Sequence, residues 1–193
     1  MHLLGHMLEK LPHAVGRALR SVRPGLEKVA CARKDFIGVP SSIVVTSPAF
    51  ADFGALPTTF TADGTGTSPP VEWAQVPPET RSLVLMVEDA DSPTPQPLVH
   101  AIAWSISPAT TGLSDGALAG HSDTALLGLS SFLKPTWLPP DPPPGHGMHR
   151  YAFQVFALGA PLKLAVHPGR RAVIQAMRGK VLARGLLIGT FQR

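Results

Sequence analysis

Pro142-Pro143-Pro144-Gly145-His146-Gly147-Met148-His149-Arg150-Tyr151-Ala152-Phe153-Gln154-Val155-Phe156-Ala157-Leu158 joins a stiff loop to a nearly unbroken apolar run. Proline fixes φ and removes an amide donor, while glycine allows close backbone approach, so residues 142–147 form a kinked rim with little freedom to lose on binding. The run over 151–158 has strand length and almost no polar alternation, which predicts a central strand covered on both faces. His149, Arg150 and Tyr151 then stand at the mouth of that strand, where a rigid loop can aim them at a ligand. Arg150 lies between two inward-pointing neighbours, so it should point away and form a structural ion pair.

Upstream, Glu88-Asp89-Ala90-Asp91-Ser92-Pro93 is followed by Pro95, Pro97 and His100. Residues 82–87 are continuously apolar and predict another strand covered on both faces, which delivers Glu88, Asp89 and Asp91 to a sheet edge. Residues 99–106 predict the next strand, and period-two alternation puts His100, Ile102, Trp104 and Ile106 on one face. At a strand mouth beside two acids, His100 reads as ligand-facing rather than as a satisfied core histidine.

Short strands are expected over 36–39 and 42–47, the second carrying the β-branched Ile43-Val44-Val45-Thr46. Residues 54–80 read as a long connection with a turn at Asp63-Gly64, anchored by Trp73. Residues 108–131 read as a further excursion, with His121 on the surface. After Pro168-Gly169 a helical pattern puts Val173, Met177 and Val181 inward and Arg170, Arg171, Arg178 and Arg184 outward, with Gly185 as its C-terminal cap. Residues 186–191 close the chain as a strand. Many strands, long turns and one late helix predict a mainly β fold, an antiparallel β-sandwich with peripheral helices.

The formal net charge is +4, yet residues 1–35 hold seven Lys or Arg against three acids, which leaves ten of each in the remainder. The chain therefore divides into a basic amphipathic helical segment, 1–35, and a neutral domain, 36–193. Leu4, Leu8, Leu11, Val15, Leu19 and Val22 recur at helical spacing, and Pro12 should break the pattern and leave a helix over 14–22. Such a segment packs on its own domain or makes a homodimer; membrane contact would be peripheral at most. No basic face interleaved with aromatics supports nucleic-acid binding. Cys31, the only cysteine, excludes an intramolecular disulfide. No apolar run approaches the roughly 20 residues of a membrane span, and no secretory pattern opens the sequence, so a cytoplasmic location is expected.

At these residues the chain resembles the phosphatidylethanolamine-binding protein family, in particular its bacterial, Raf-kinase-inhibitor-like branch. The resemblance rests on Asp89-Ala90-Asp91-Ser92-Pro93, His100 and Pro142 to Tyr151, supported by Ser68-Pro69-Pro70-Val71-Glu72-Trp73 and Gly189-Thr190-Phe191, and it covers about residues 36–193. It implies a central antiparallel sheet packed on a smaller one, a C-terminal helix beside the pocket, and a cis bond before Pro93. It also implies that Asp89, Asp91, His100, Pro143, His149 and Tyr151 line a small cavity. That cavity would take phosphate, phosphorylethanolamine or acetate without a cofactor, and a protein partner could be regulated. Imidazole N–H groups and the phenol would donate to the anion, and Asp89 would orient a histidine. Ala90, Leu98 and Lys180 depart from the family pattern, and Leu98 removes an aromatic that could contact an ammonium. The alternative is a hydrolase or metal-dependent enzyme built on the same His and Asp cluster, although no His-x-x-x-His spacing joins His100 or His149 to another histidine.

Overall fold

The computed structural model describes residues 12–120, 122 and 124–193, so Leu4, Leu8, Leu11 and His121 lie outside the described residues. Within it the elements are α1 (His13–Ala18), β1 (Val44–Thr46), β2 (Gly54–Ala55), β3 (Val71–Ala74), β4 (Ser82–Asp89), β5 (Leu98–Ile106), β6 (Gly112–Leu113), β7 (Leu126–Leu127), β8 (His149–Leu158), α2 (Arg170–Met177) and β9 (Val181–Phe191). The fold is mainly β, with two sheets. One has the order β1-β3-β6 and the other β2-β9-β8-β4-β5-β7. All described pairings are antiparallel except the two-residue β2–β9 contact.

All eight residues of β4 are buried, as the continuous apolar run predicts. Leu83, Leu85 and Val87 face a core shared with Val45, Trp73 and Phe50. Val84 and Met86 face a second core with Phe36, Val173 and Met177. Each such side chain stabilises the fold by about 1.5–3 kcal/mol relative to exposure, and covering both faces fixes β4 and β8 firmly at the centre.

The second core is closed partly by the N-terminal region. Three short 3₁₀ turns, Leu26–Lys28, Ala30–Ala32 and Lys34–Phe36, bring Val29, Ala30, Cys31 and Phe36 into it. This packed run crosses position 35 without a break. Glu88, fully buried, accepts from Ala30 N at 2.6 Å and from Gln154 Nε2 at 2.8 Å, and it pairs with Arg170. Gln154 Oε1 in turn accepts from Cys31 N at 2.7 Å. A buried carboxylate and amide are thereby satisfied by the segment that covers them, as buried polar groups must be.

Several local expectations are corrected. Residues 36–39 are the end of a 3₁₀ turn and a bend, not a strand. The first helix ends at Ala18, short of Val22. Trp73 lies on a strand, with its Nε1 donating to Thr110 O at 2.7 Å. The late helix stops at Met177, and Gly179, at φ +69°, makes the turn that was assigned to Gly185. Residues 181–185 instead pair with β8, because the chain gains a full ladder there once Gly179 has reversed it. The Ser92–Pro93 bond is trans; Ser92 O accepts from Thr94 N at 2.7 Å across the proline, a tight turn that the trans form closes.

Strand β5 departs most informatively from simple alternation. Its register to β4 shifts once between Val87 and Glu88 and again between Leu83 and Leu85, and Ser105 has φ +58°. Ile102 and Trp104 belong to the second core, but Ile106 belongs to the first. His100 also leaves the side of Ile102, packing against Trp137 and Tyr151 with ring centroids 5.9 and 5.1 Å away. Bulges re-aim side chains in this way.

Candidate functional site

The two distant motifs meet at one end of the six-stranded sheet. Antiparallel pairing sets Asp89 opposite Tyr151 on β8 and opposite Leu98 on β5, so the ends of three neighbouring strands share one rim. A cavity of ≈ 30 Å³ opens there, walled by Asp89, His100 and His149, by Ser92, Pro93 and Leu98, and by Phe132 and residues 138–139 and 141–143. A water needs about 10–15 Å³ by the same measure, so the cavity suits the head of a small ligand rather than a whole lipid. Pro143 is on the wall and its carbonyl accepts from His146 N at 3.1 Å, a turn that keeps the rim closed. No residue of α2 lines the cavity, although its Arg170 reaches Glu88 next to Asp89.

Each predicted residue has a defined place. His100 Nδ1 donates to Leu138 O at 2.5 Å. Its Nε2 therefore carries the lone pair, and that buried atom has no partner among the described residues. Burial pulls the His100 pKa down, against the upward pull of Asp89 and the Leu138 carbonyl, so the ring is neutral. Tyr151 is fully buried beneath it, edge-on to His100, and its hydroxyl is likewise unpartnered. Burial, with Asp89 and Asp141 nearby, holds the phenol well above its ordinary range, so it keeps its proton.

Asp89 and His149 form a buried pair. Asp89 Oδ2 accepts from His149 Nδ1 at 2.7 Å, and Oδ1 accepts from Asp91 N at 2.8 Å. Asp91 stands apart from the cavity wall. Its carboxylate, 1% exposed, takes Arg150 N, Nε and Nη2 at 2.9, 2.7 and 2.8 Å, and Arg23 Nη1 lies 3.1 Å away. Arg150 thus points away from the cavity and is ion-paired. Asp141, on the wall, pairs with Arg193, which also holds Asp63.

The sequence reading passed over His146. Its ring is fully buried and its Nδ1 lies 2.7 Å from His149 Nε2, while its Nε2 donates to Leu19 O at 2.8 Å. A carbonyl only accepts, so a neutral His146 keeps its proton on Nε2 and turns the Nδ1 lone pair to His149; with His149 Nδ1 donating to Asp89, that contact needs a proton on each nitrogen of His149. With His149 also bonded to Asp89, its Nδ1 and Nε2 are both committed. The imidazole N–H groups expected to donate to an anion are therefore already in use, on Leu138 O, Asp89 and His146. The His-x-x-His spacing of His146 and His149 was the signal available for this contact.

The sequence model of the family described as Phosphatidylethanolamine-binding protein matches residues 46–192. A UPF0098 protein of Methanothermobacter thermautotrophicus is 35% identical over 155 residues, spanning 75% of this chain and 95% of that protein. A UPF0098 protein of Aquifex aeolicus is 35% identical over 152 residues, spanning 77% and 88%. Among solved structures, a putative phosphatidylethanolamine-binding protein homolog from Chlamydia trachomatis superposes with a TM-score of 0.73 at 31% identity, covering 79% of this chain and 99% of that one. Escherichia coli YbcL, whose structure is described as a new member of the mammalian family, shares the fold with a TM-score of 0.74 at 23% identity over 79% and 99%. With the matched segment spanning the cavity walls and both sheets, the chain belongs to the phosphatidylethanolamine-binding protein family.

Proposed function

We propose that this chain is a non-enzymatic binding protein whose cavity takes a small oxyanion that carries a proton, as phosphate, the phosphate of a phosphorylethanolamine head group, or acetate can. The observation that carries this reading is His100 Nε2, which lies on the cavity wall without a partner among the described residues; Tyr151, whose hydroxyl is likewise unpartnered, packs behind His100 and is not itself on the wall. A buried polar atom without a partner costs about 1–3 kcal/mol, and a ligand that donates to the imidazole recovers it. A fully deprotonated anion would set a lone pair against that of His100 and against Asp89. Hence the ligand enters with its proton, and the ammonium of an ethanolamine group, if present, lies toward Asp89 or Asp141. The committed nitrogens of His149 weigh against a metal or hydrolytic site that uses both histidines, since only His100 Nε2 keeps a free lone pair at the cavity. Phe132 and Leu133 beside the cavity and Met148 on the rim are 45%, 76% and 52% exposed, and a partner protein regulated in the cytoplasm would read the occupied cavity across them.

Calorimetry with inorganic phosphate, phosphorylethanolamine and acetate, run at pH 7.5 (about 1.5 units above a phosphomonoester pKa of about 6) in buffers of different ionisation enthalpy, tests the reading. Saturable binding, lost in His100→Ala and accompanied by net proton uptake for phosphorylethanolamine and acetate, is the expected result. Unchanged affinity in His100→Ala refutes the assignment of the cavity, and binding of phosphorylethanolamine without proton uptake refutes the protonated form of the ligand.

A further inference from the structure

Residues 12–25 precede the segment that the family model matches, yet they lie directly on the rim of the cavity. Gly16 is buried, and a Cβ there would stand 2.1 Å from Pro144 O and 2.9 Å from His146 N, so α1 rests on the loop backbone to backbone. Arg23 acts as a clasp: Nη2 donates to His146 O at 2.6 Å, Nη1 to Met148 O at 2.7 Å and Nε to Arg20 O at 2.9 Å. The same guanidinium reaches Asp91 at 3.1 Å. Finally Leu19 O takes the Nε2 proton of His146, which leaves Nδ1 to hold the Nε2 proton of His149. A backbone carbonyl of the N-terminal segment therefore sets where the protons sit two rings away, at the cavity wall.

We propose that residues 12–25 are an intramolecular strap that restrains anion binding, with Arg23 and His146 as positioning residues that act through His149. The proposal rests on the cavity reading above and assigns its control. A second proton on His146 is opposed on every side but one. Arg23 faces it from the strap, with Arg20 beside Gly147 and His13 beside Gly145, and His149 faces it from β8; Arg193 meets the loop only through its backbone carbonyl, which accepts from Gly145 N. Among the charged groups, Asp89 at the end of β4 favours that proton. Burial, followed by the charges of His149 and Arg23, holds His146 below the ordinary histidine range, against the pull of the Leu19 carbonyl. Lifting the strap removes three of these basic groups and the carbonyl and wets the ring, so His146 takes its proton at higher pH. A doubly protonated His146 has no lone pair for His149, so the accepting contact between the rings is lost and the loop gains a positive charge beside the cavity, which favours an oxyanion.

Full-length Gly16→Ala and Arg23→Gln test this. Ala is a better helix former than Gly, so any loosening in Gly16→Ala comes from the clash with Pro144 and not from loss of α1. Imidazole ¹⁵N spectra between pH 5 and 8 should show His146 with its proton on Nε2 in the wild type, and a midpoint raised by about half a pH unit or more in both variants. Half a unit is about threefold in a protonation equilibrium, so inorganic phosphate at pH 6 should bind about threefold tighter to the variants, with the difference closing at pH 8. Wild-type spectra in both variants, or phosphate affinities that match the wild type at both pH values, overturn the strap. If the wild type takes no phosphate, the cavity reading fails, while the spectra still decide the strap. If Gly16→Ala does not fold, Arg23→Gln decides alone, since its side chain is a quarter exposed.

Discussion

Replacing Asp91 by Asn removes one negative charge from a place where two guanidiniums converge. The carboxylate is 1% exposed and receives three N–H groups of Arg150, with Arg23 at 3.1 Å. In Asp91→Asn an amide NH₂ must face donors, and the arginine charges lose their partner. Breaking a buried pair costs about 3–5 kcal/mol. Arg150 is about a third exposed and can rehydrate, so the low end, ~3 kcal/mol, applies. At about 2–4 °C per kcal/mol for a chain of this length, Tm should fall by roughly 6–12 °C at pH 7. The pH dependence follows from the same contacts. Burial alone would raise the Asp91 pKa, but the Arg150 bonds and charge, aided by Arg23, outweigh it and hold the group below its usual value. A depressed folded-state pKa gives stability that is complete above the unfolded value of about 3.9 and is lost as pH falls through the folded value. Scanning calorimetry of both proteins at pH 7, 5, 4 and 3 should thus show a constant gap that closes only in the most acid samples. A gap under about 1 kcal/mol at pH 7, or one that persists undiminished at pH 3, would refute the argument.

Two further outcomes follow from the core. Burial pushes the Cys31 thiol up to about 11, so at pH 8 the folded protein should resist a disulfide reagent, and labelling in urea should track unfolding; rapid labelling of the native protein would contradict the packing of residues 26–36. A Cβ on Gly185 would stand 2.3 Å from Ile43 O, so Gly185→Ala should push β1 off β9 and cost about 1–3 kcal/mol. Gly179→Ala meets nothing within 4 Å and bears only its φ of +69°, about 1–2 kcal/mol. Equal melting temperatures for Gly185→Ala and the wild type would count against the close approach of the two strands.

The central strands were legible because the middles of β4 and β8 are nearly unbroken apolar runs, a pattern that survives any rotation of the strand, and because their ends carry the acids and imidazoles. The face of His100 was not legible. Alternation counts residues evenly, whereas β5 slips register twice against β4, and a slip is set by pairing with a partner strand that the local pattern does not encode. Gly185 read as a helix cap because Val173, Met177 and Val181 keep a four-residue spacing past the true end at Met177, and a glycine admitted for close approach looks the same as one admitted for positive φ. His146 was hidden by its setting among prolines and glycines, since its role depends on Leu19, 127 residues away in the chain. The N-terminal region read as a separate basic segment because its arginines dominate its composition, while the small residues that pack, Gly16, Ala30 and Cys31, carry little periodic signal.

The pairing of Asp89 with His149 spans 60 positions of chain, and the strands that carry them are the two most deeply covered. Contacts of such sequence separation form late, after the loop-closure entropy has been met. A nascent or partly melted chain therefore has acid and imidazole in hand but no cavity, and an occupant can stabilise only the finished state. Occupancy of the cavity by the proposed oxyanion would accordingly report the mature population alone.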